Sequence, residues 1–256
     1  MAEATTGFGV DIGGSGIKGA RVDLVTGEFI GERIKILTPQ PATPEAVSDV
    51  VAELLAQAEW EGPVGITVPA VVQNQIARSA ANIDPSWIGT DCAELFANRL
   101  AVNGVPRSVA VLNDADAAGL AEAAYGDPRV RDGAVLLLTF GTGIGSALMV
   151  NGVLYPNSEL GHLLFPAMDA EHWASSAVKE REDLSYREWA RRVSRVLEEY
   201  LRILNPQRIV VGGGVSRKYE KWGPFLTVDA EVFPAVLRNR AGIVGAAAAV
   251  RDGVRP

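Results

Sequence analysis

The chain opens on alternation. Phe8, Val10 and Ile12 alternate with smaller or polar residues up to a glycine cluster, and an extended pattern resumes from Ile17 to Leu24. This predicts two strands joined by a tight glycine turn. Thr26–Glu28 turns the chain, and residues 29–37 read as a third strand. The period then changes. Val47, Val50, Val51, Leu54, Leu55 and Ala58 recur at helical intervals, with Pro44 at the first helical position. Residues 62–72 read as a buried strand running into a loop. A helix is expected near Cys92–Leu100, then a strand over 108–114 and a helix that stops at Gly126.

The second half repeats this opening. Residues 133–140 are an apolar strand, 141–145 a glycine turn, and 146–155 two short strands joined by Asn151-Gly152, a strong hairpin signal. Ser185 and Glu188 have capping-box spacing. They precede a helix whose buried stripe is Trp189, Val193, Val196, Leu197, Tyr200, Leu201 and Leu204. Residues 208–216 read as a strand ending in glycines, and 242–250 as a close-packed terminal helix. Strand, glycine turn and strand thus occur twice, near Gly13 and near Gly141. The pattern predicts an α/β chain of two related lobes with a cleft between them. The expected boundary is near Asn113, giving a small lobe over 1–113 and a larger one over 114–256. The terminal helix, 242–252, is a candidate to pack back on the first lobe.

Composition narrows the partners. A net charge of −7 gives no global attraction for polyanions, so nucleic acid is not expected and any phosphate-rich partner needs a local basic patch. A single cysteine, Cys92, excludes an internal disulfide and a thiolate zinc cluster. The first residues lack the signature of a signal peptide, and no apolar run approaches the ~20 residues of a membrane span. A cytoplasmic enzyme or binding protein is expected.

Gly14, Gly16 and Gly19 have the spacing of a dinucleotide-binding turn. That fingerprint requires a helix directly after the glycines, to hold the pyrophosphate at its N-terminus. Here a strand follows, so the oxidoreductase reading loses its context. Lys18 is followed by glycine rather than Ser or Thr, which excludes a P-loop. Glycines between strands can instead converge backbone N–H groups on an anion. Gly13, Gly14 and Ser15 can do this in the first turn, and Gly141, Thr142, Gly143 and Gly145 in the second. Asp11, just before the first turn, would repel phosphate unless a cation lay between, which points to Mg²⁺ bound through water. Two hairpins with glycine for geometry alone is the competing reading. Asp114 offers a carboxylate at a strand end as a candidate base, or equally an ordinary helix cap, with Asp116 the better capping candidate.

The segments DIGGSGIKG, LNDADAAGLAE, FGTGIGSAL, ELGH and IVVGGGVS stand in the order and spacing of the ROK family of sugar kinases, and the resemblance covers almost the whole chain. It implies the actin/sugar-kinase ATPase-like fold. Three further segments, SAANIDPSWIG, PNSELGH and GGGVSRKYEKW, are similar to members that phosphorylate glucose at O6 with inorganic polyphosphate, some also with ATP. Asp114 is then the expected catalytic base. Asn113, Glu159, His162, Glu171 and Asn82 are expected to bond glucose. Donor contacts are expected from Asp11, Lys18, both glycine turns, Gly213, Gly214, Arg217 and Lys218. The last two, with Lys221, begin a cationic lane for polyphosphate, whereas Arg187, Arg191 and Arg195 read as a solvated helix face. His172 and Trp87 read as structural. Many ROK proteins carry a cysteine-rich zinc motif after the E-x-G-H histidine. It is missing here, so no zinc is expected. Only seven residues precede Phe8, too few for the DNA-binding domain of ROK repressors. The family implies a homodimer. An ATP-dependent hexose or amino-sugar kinase and a non-catalytic sugar sensor are the alternatives.

Overall fold

The alternating segments are strands and the periodic ones helices in the computed structural model, which describes residues 5–80, 83–165 and 167–256. In chain order they are β1 (Thr6–Gly13), β2 (Gly16–Asp23), β3 (Phe29–Ile36), α1 (Pro44–Gln57), β4 (Val64–Val68), β5 (Val72–Gln73), β6 (Ile76–Ala77), α2 (Cys92–Arg99), β7 (Val109–Asn113) and α3 (Asp114–Tyr125). There follow β8 (Ala134–Phe140), β9 (Ile144–Val150), β10 (Val153–Tyr155), α4 (Ala170–Ala174), α5 (Ser176–Arg181), α6 (Tyr186–Leu204), β11 (Arg208–Gly213), α7 (Tyr219–Trp222), β12 (Glu231–Pro234) and α8 (Ala241–Arg251).

These elements form two compact units, Met1–Ala121 with Arg240–Pro256, and Glu122–Asn239. The division falls inside α3, so Asn113 and Asp114 both belong to the first unit, as does α8. Each unit is built on a five-stranded sheet. The first has the order β3-β2-β1-β4-β7 and the second β10-β9-β8-β11-β12. In each, three antiparallel strands are followed by two parallel ones. One pairing scheme is used twice, as the repeated strand–turn–strand pattern predicts.

In the first unit Thr43 caps α1 through the N–H of Ala46, and Pro44 takes the first helical position. Val47, Val51, Leu54 and Leu55 are buried beneath the helix, while Val50 and Ala58 are partly covered at its margin. Trp87 is wholly buried and its indole N–H donates to the carbonyl of Ala42, so it is a packing aromatic. Cys92 is buried, and burial pushes its thiol up to about 12, which removes it as a nucleophile at neutral pH. The β5–β6 hairpin stands where the sequence pattern suggests only a loop. Gln75, in its turn, accepts the N–H of Val111 and donates to the same residue's carbonyl, covering the middle of edge strand β7. α8 lies against β1 and β4, and glycines make the contact possible. A methyl group at Gly9 would fall 1.8 Å from the carbonyl oxygen of Ile243, and one at Gly65 would fall 1.7 Å from that of Ala246.

In the second unit the capping box of Ser185 and Glu188 starts α6 with both reciprocal bonds formed. Trp189, Val193, Val196, Leu197 and Tyr200 are buried, with Leu201 and Leu204 at the edge of the cluster. Asn151 and Gly152 take φ of 51° and 77°, the left-handed pair that a two-residue hairpin turn demands. No helix among the described residues is long and apolar enough to cross a membrane.

Candidate active site

Parallel strands carry their functional loops at their carboxyl ends. In the first sheet Asp11 of β1 pairs with Thr67 of β4, and Val68 of β4 with Asn113 of β7. The first glycine turn, Asp11 and Asn113 therefore share one end of one sheet. Thr67 donates its hydroxyl to Asp11 Oδ1 at 3.1 Å, and Lys18 Nζ lies 3.6 Å from Asp11 Oδ2. Lys18 thus points at the carboxylate rather than away from the turn. Gly14 has open space where a side chain would stand, and Gly14 and Ser15 are exposed. A methyl group on Gly242, in α8, would stand 3.2 Å from Asp11 Oδ1. Thr67 and Gly242 carry no motif of their own, and only sheet register and helix docking bring them to Asp11.

Asn113 is buried. Its Oδ1 accepts the N–H of Ala115 at 2.8 Å and that of Asp116 at 3.3 Å, and its Nδ2 donates to the carbonyl of Ala70. Asn113, not Asp116, caps α3. Asp116 is fully buried in the helix's packed face. Asn113 takes the capping role expected of Asp116 because β7 runs straight into the helix, leaving Asn113 as the last non-helical residue. Asp114 heads the helix, is exposed, and accepts the N–H of Ala115 at 2.9 Å. Asn82 lies outside the described residues.

The second unit assembles a carboxylate–imidazole cluster. His162 Nδ1 lies 2.9 Å from Asp169 Oδ2 and 3.9 Å from Glu171 Oε1, and its Nε2 lies 3.8 Å from Glu159 Oε2. The turn Leu160–His162 is held from behind. Tyr200 in α6 donates to the carbonyl of Leu160 at 2.7 Å, and Ser146 accepts the N–H of Leu160. The hydrogen bond that the ring donates to Asp169 raises the His162 pKa, with Glu171 and Glu159 adding to it against partial burial. Partial desolvation raises the Glu159 carboxyl, although the residue stands at the surface, offset by His162 and reinforced by Glu171. His162 Nδ1, Asp169 and Glu171 offer atoms within 4.8 Å of one another, a spacing a cation would also satisfy. The direct hydrogen bond accounts for the approach without one. His172 is exposed at the rim, 3.9 Å from Glu171.

Glu171 also ties this cluster to the second glycine turn. Its Oε2 accepts the N–H of Ile144 at 3.2 Å, and a methyl group at Gly143 would stand only 2.1 Å from that oxygen. Gly141 is engaged within the fold. Its N–H donates to the carbonyl of Gly143, and its own carbonyl accepts from Ser176 Oγ and the N–H of Ala177. The N–H of Gly141 is therefore turned inward, and Thr142 and Gly143 are the members of that turn that can face an anion. In the parallel β8–β11 pair, Phe140 stands opposite Gly213, so the third glycine cluster borders the second turn. Gly213 has φ of +78°, and a side chain there would strike the carbonyl of Phe140. Beyond it Trp222 packs edge-on against Trp189 and Tyr219, at 4.9 and 5.1 Å between centroids. This anchors the segment from inside, and Arg217, Lys218 and Lys221 are exposed on its outer side. On α6, Arg195 lies near Glu198 and Arg187 stacks over Phe225, as suits a solvated face.

The ROK family model matches residues 7–173, which include the first two glycine turns, Asp114, Glu159, His162 and Glu171. The chain belongs to the ROK family. Its fold is the actin-like ATPase fold of ROK sugar kinases. This ROK chain is 52% identical over 243 residues to the polyphosphate glucokinase of Mycobacterium tuberculosis (strain CDC 1551 / Oshkosh), covering 95% of this chain and 90% of that one. Among solved structures it resembles the inorganic polyphosphate/ATP-glucomannokinase of Arthrobacter sp. strain KM. The TM-score is 0.91 at 45% identity, covering 98% of this chain and 100% of that one. A ROK family glucokinase from Streptomyces griseus, in complex with glucose and AMPPNP, gives a TM-score of 0.80 at 25% identity, over 97% and 100% of the two chains. The family match ends at residue 173. The basic segment after the third glycine cluster lies beyond it.

Proposed function

We propose that this ROK protein transfers the terminal phosphoryl group of inorganic polyphosphate to O6 of glucose. The observation that carries the reading is the 52% identity to a polyphosphate glucokinase over nearly the whole chain. Glu159, His162 and Glu171, with Asn113 and Asn82, bond the sugar hydroxyls. A neutral hexose offers only hydroxyls, and carboxylates, imidazole and amides pair with them as acceptors and donors. As O6 bonds to the terminal phosphorus, the bond from phosphorus to the bridging oxygen breaks. Its electron pair stays on the shortened polyphosphate, and the O6 proton passes to Asp114. The products are glucose 6-phosphate and a chain one phosphate shorter.

Asp11, Lys18 and the turn amides of Gly13, Gly14, Ser15, Thr142 and Gly143 hold the reacting phosphates, with Gly141 and Gly145 shaping the second turn. Gly213, Gly214, Arg217 and Lys218 carry the rest of the donor. Mg²⁺ suits Asp11, because this ion keeps most of its waters and takes one or two carboxylates besides phosphate oxygens. Asp11 supplies one carboxylate, and Thr67 steadies its Oδ1. When bound, the ion would neutralise donor charge. The protein is proposed to act in the cytoplasm as a homodimer.

ATP is the second donor to consider, because the Arthrobacter enzyme's name gives both polyphosphate and ATP. The test is a donor assay with purified protein, glucose and Mg²⁺. Polyphosphate is expected to yield glucose 6-phosphate. Product with ATP alone overturns the donor assignment, and no product with either donor overturns the kinase reading.

A further inference from the structure

We propose that Asp169 is a positioning residue for the hexose site, holding the His162 imidazole with its proton on Nδ1 and its Nε2 presented beside Glu159 to a sugar hydroxyl. The proposal rests on the assignment of His162 to sugar binding. Two independent observations carry it. The first is the contact itself, 2.9 Å between His162 Nδ1 and Asp169 Oδ2. An ionised carboxylate only accepts hydrogen bonds, so Nδ1 must be the donor, and in the neutral ring Nε2 is then left with its lone pair. The second is what Asp169 forgoes. It occupies the N-cap position of α4, where an aspartate side chain ordinarily accepts a backbone N–H of the first turn, yet it makes no such bond. Its carboxylate is turned to the imidazole instead.

The backbone fixes that choice. Leu164 and Asp169 form an antiparallel bridge, and the N–H of Ala170 donates to the carbonyl of Leu163 at 2.8 Å. The antiparallel pairing therefore sets Asp169 opposite Leu164, two residues beyond His162, where its carboxylate reaches the imidazole. With Nδ1 occupied, Nε2, Glu159 and Glu171 form a set of acceptors suited to hydroxyl protons. Protonation of the ring would convert Nε2 to a donor toward a hydroxyl oxygen. The raised His162 pKa has the Asp169 bond as its largest cause, which agrees with the geometry.

The chain has only two histidines, so imidazole nitrogens can be followed by long-range ¹H–¹⁵N spectroscopy of the full-length protein, with His172→Gln assigning the signals. At alkaline pH the His162 ring of the wild type is expected in the Nδ1–H form. Asp169→Ala should shift it toward the Nε2–H form that free imidazole favours, and Asp169→Asn, which keeps an acceptor oxygen, should largely restore it. In the donor assay Asp169→Ala should raise KM for glucose about tenfold, the worth of one hydrogen bond to a charged group, with kcat changed less than about threefold. An Nε2–H ring in the wild type overturns the proposal without any variant. So does an Asp169→Ala ring that stays Nδ1–H, or a Zn²⁺ titration that moves the His162 signals at stoichiometric metal. If the wild type makes no glucose 6-phosphate, the functional reading has failed while the spectroscopic result still decides the role of Asp169.

Discussion

The side-chain oxygen of Asn113 accepts the N–H of Ala115 at 2.8 Å, and by capping α3 it leaves Asp114 exposed at the helix's first position. Because Asn113 does the capping, the Asp114 carboxylate is not required for the helix to start. Asp114→Asn keeps an oxygen for the Ala115 N–H and removes only basicity. The fold and glucose binding should persist while kcat falls by about 10²–10⁴, the range of a general base. Calorimetry with glucose, set beside turnover, checks this. Retention of more than about a tenth of the wild-type rate would remove Asp114 from the proposed chemistry.

The docking of α8 gives a stability prediction independent of function. A methyl group at Gly245 would fall 1.7 Å from the carbonyl oxygen of Ala117. The obstacle is helix backbone, which cannot swing aside as a side chain can. Gly245→Ala should cost about 3 kcal/mol, the upper part of the overpacking range, and lower Tm by about 6–12 °C. A Tm within a degree or two of the wild type would mean that α8 does not pack on α3 through this glycine.

Much of this was legible from periodicity. The two glycine turns, the capping box at Ser185 and the buried face of α6 follow from local spacing, because each depends on residues close in sequence. That Asn113 rather than Asp116 caps α3 was not legible. Asn-Asp-Ala-Asp offers several caps, and only the run of β7 directly into α3 selects one. Thr67 and Asp169 were missed for a different reason. Neither stands in a motif, and each reaches its partner through backbone pairing, β4 on β1 and the Leu164–Asp169 bridge. The inward N–H of Gly141 was equally hidden, since a glycine in a turn does not reveal which way its amide points.

Partial desolvation of the Glu159 carboxyl predicts a conflict between stability and binding. A carboxyl raised in the folded state means that the native protein holds this proton more tightly than the unfolded chain does. Its contribution is favourable below the ordinary glutamate range, declines as pH rises through the raised value, and is absent at neutral pH. Glu159→Gln mimics the protonated form. It should be at least as stable as wild type at neutral pH, with the difference closing as pH falls below the ordinary range. Glucose KM should rise at the same time. Melting curves across pH test the sign, and a variant that is less stable at neutral pH would show that the charge is supported rather than penalised.

The exposed cations after the third glycine cluster bear on which donor is used. Arg217 and Lys218 stand on a turn anchored inward by Trp222, and no acidic partner forms an ion pair with either among the described residues. A pair of cations held out from a rigid base is suited to a polyanion, and its contribution should appear as counterion release. Arg217→Ala with Lys218→Ala should therefore raise KM for polyphosphate while leaving KM for glucose near its wild-type value. If both contact phosphate, the slope of log affinity against log salt should shrink by about 1.4, at roughly 0.7 per contact as for single-stranded polyanions. The difference between variant and wild type should then narrow as salt rises. An equal loss toward both substrates, or an unchanged salt slope, would make the segment a structural element of the second unit and move the donor's path elsewhere.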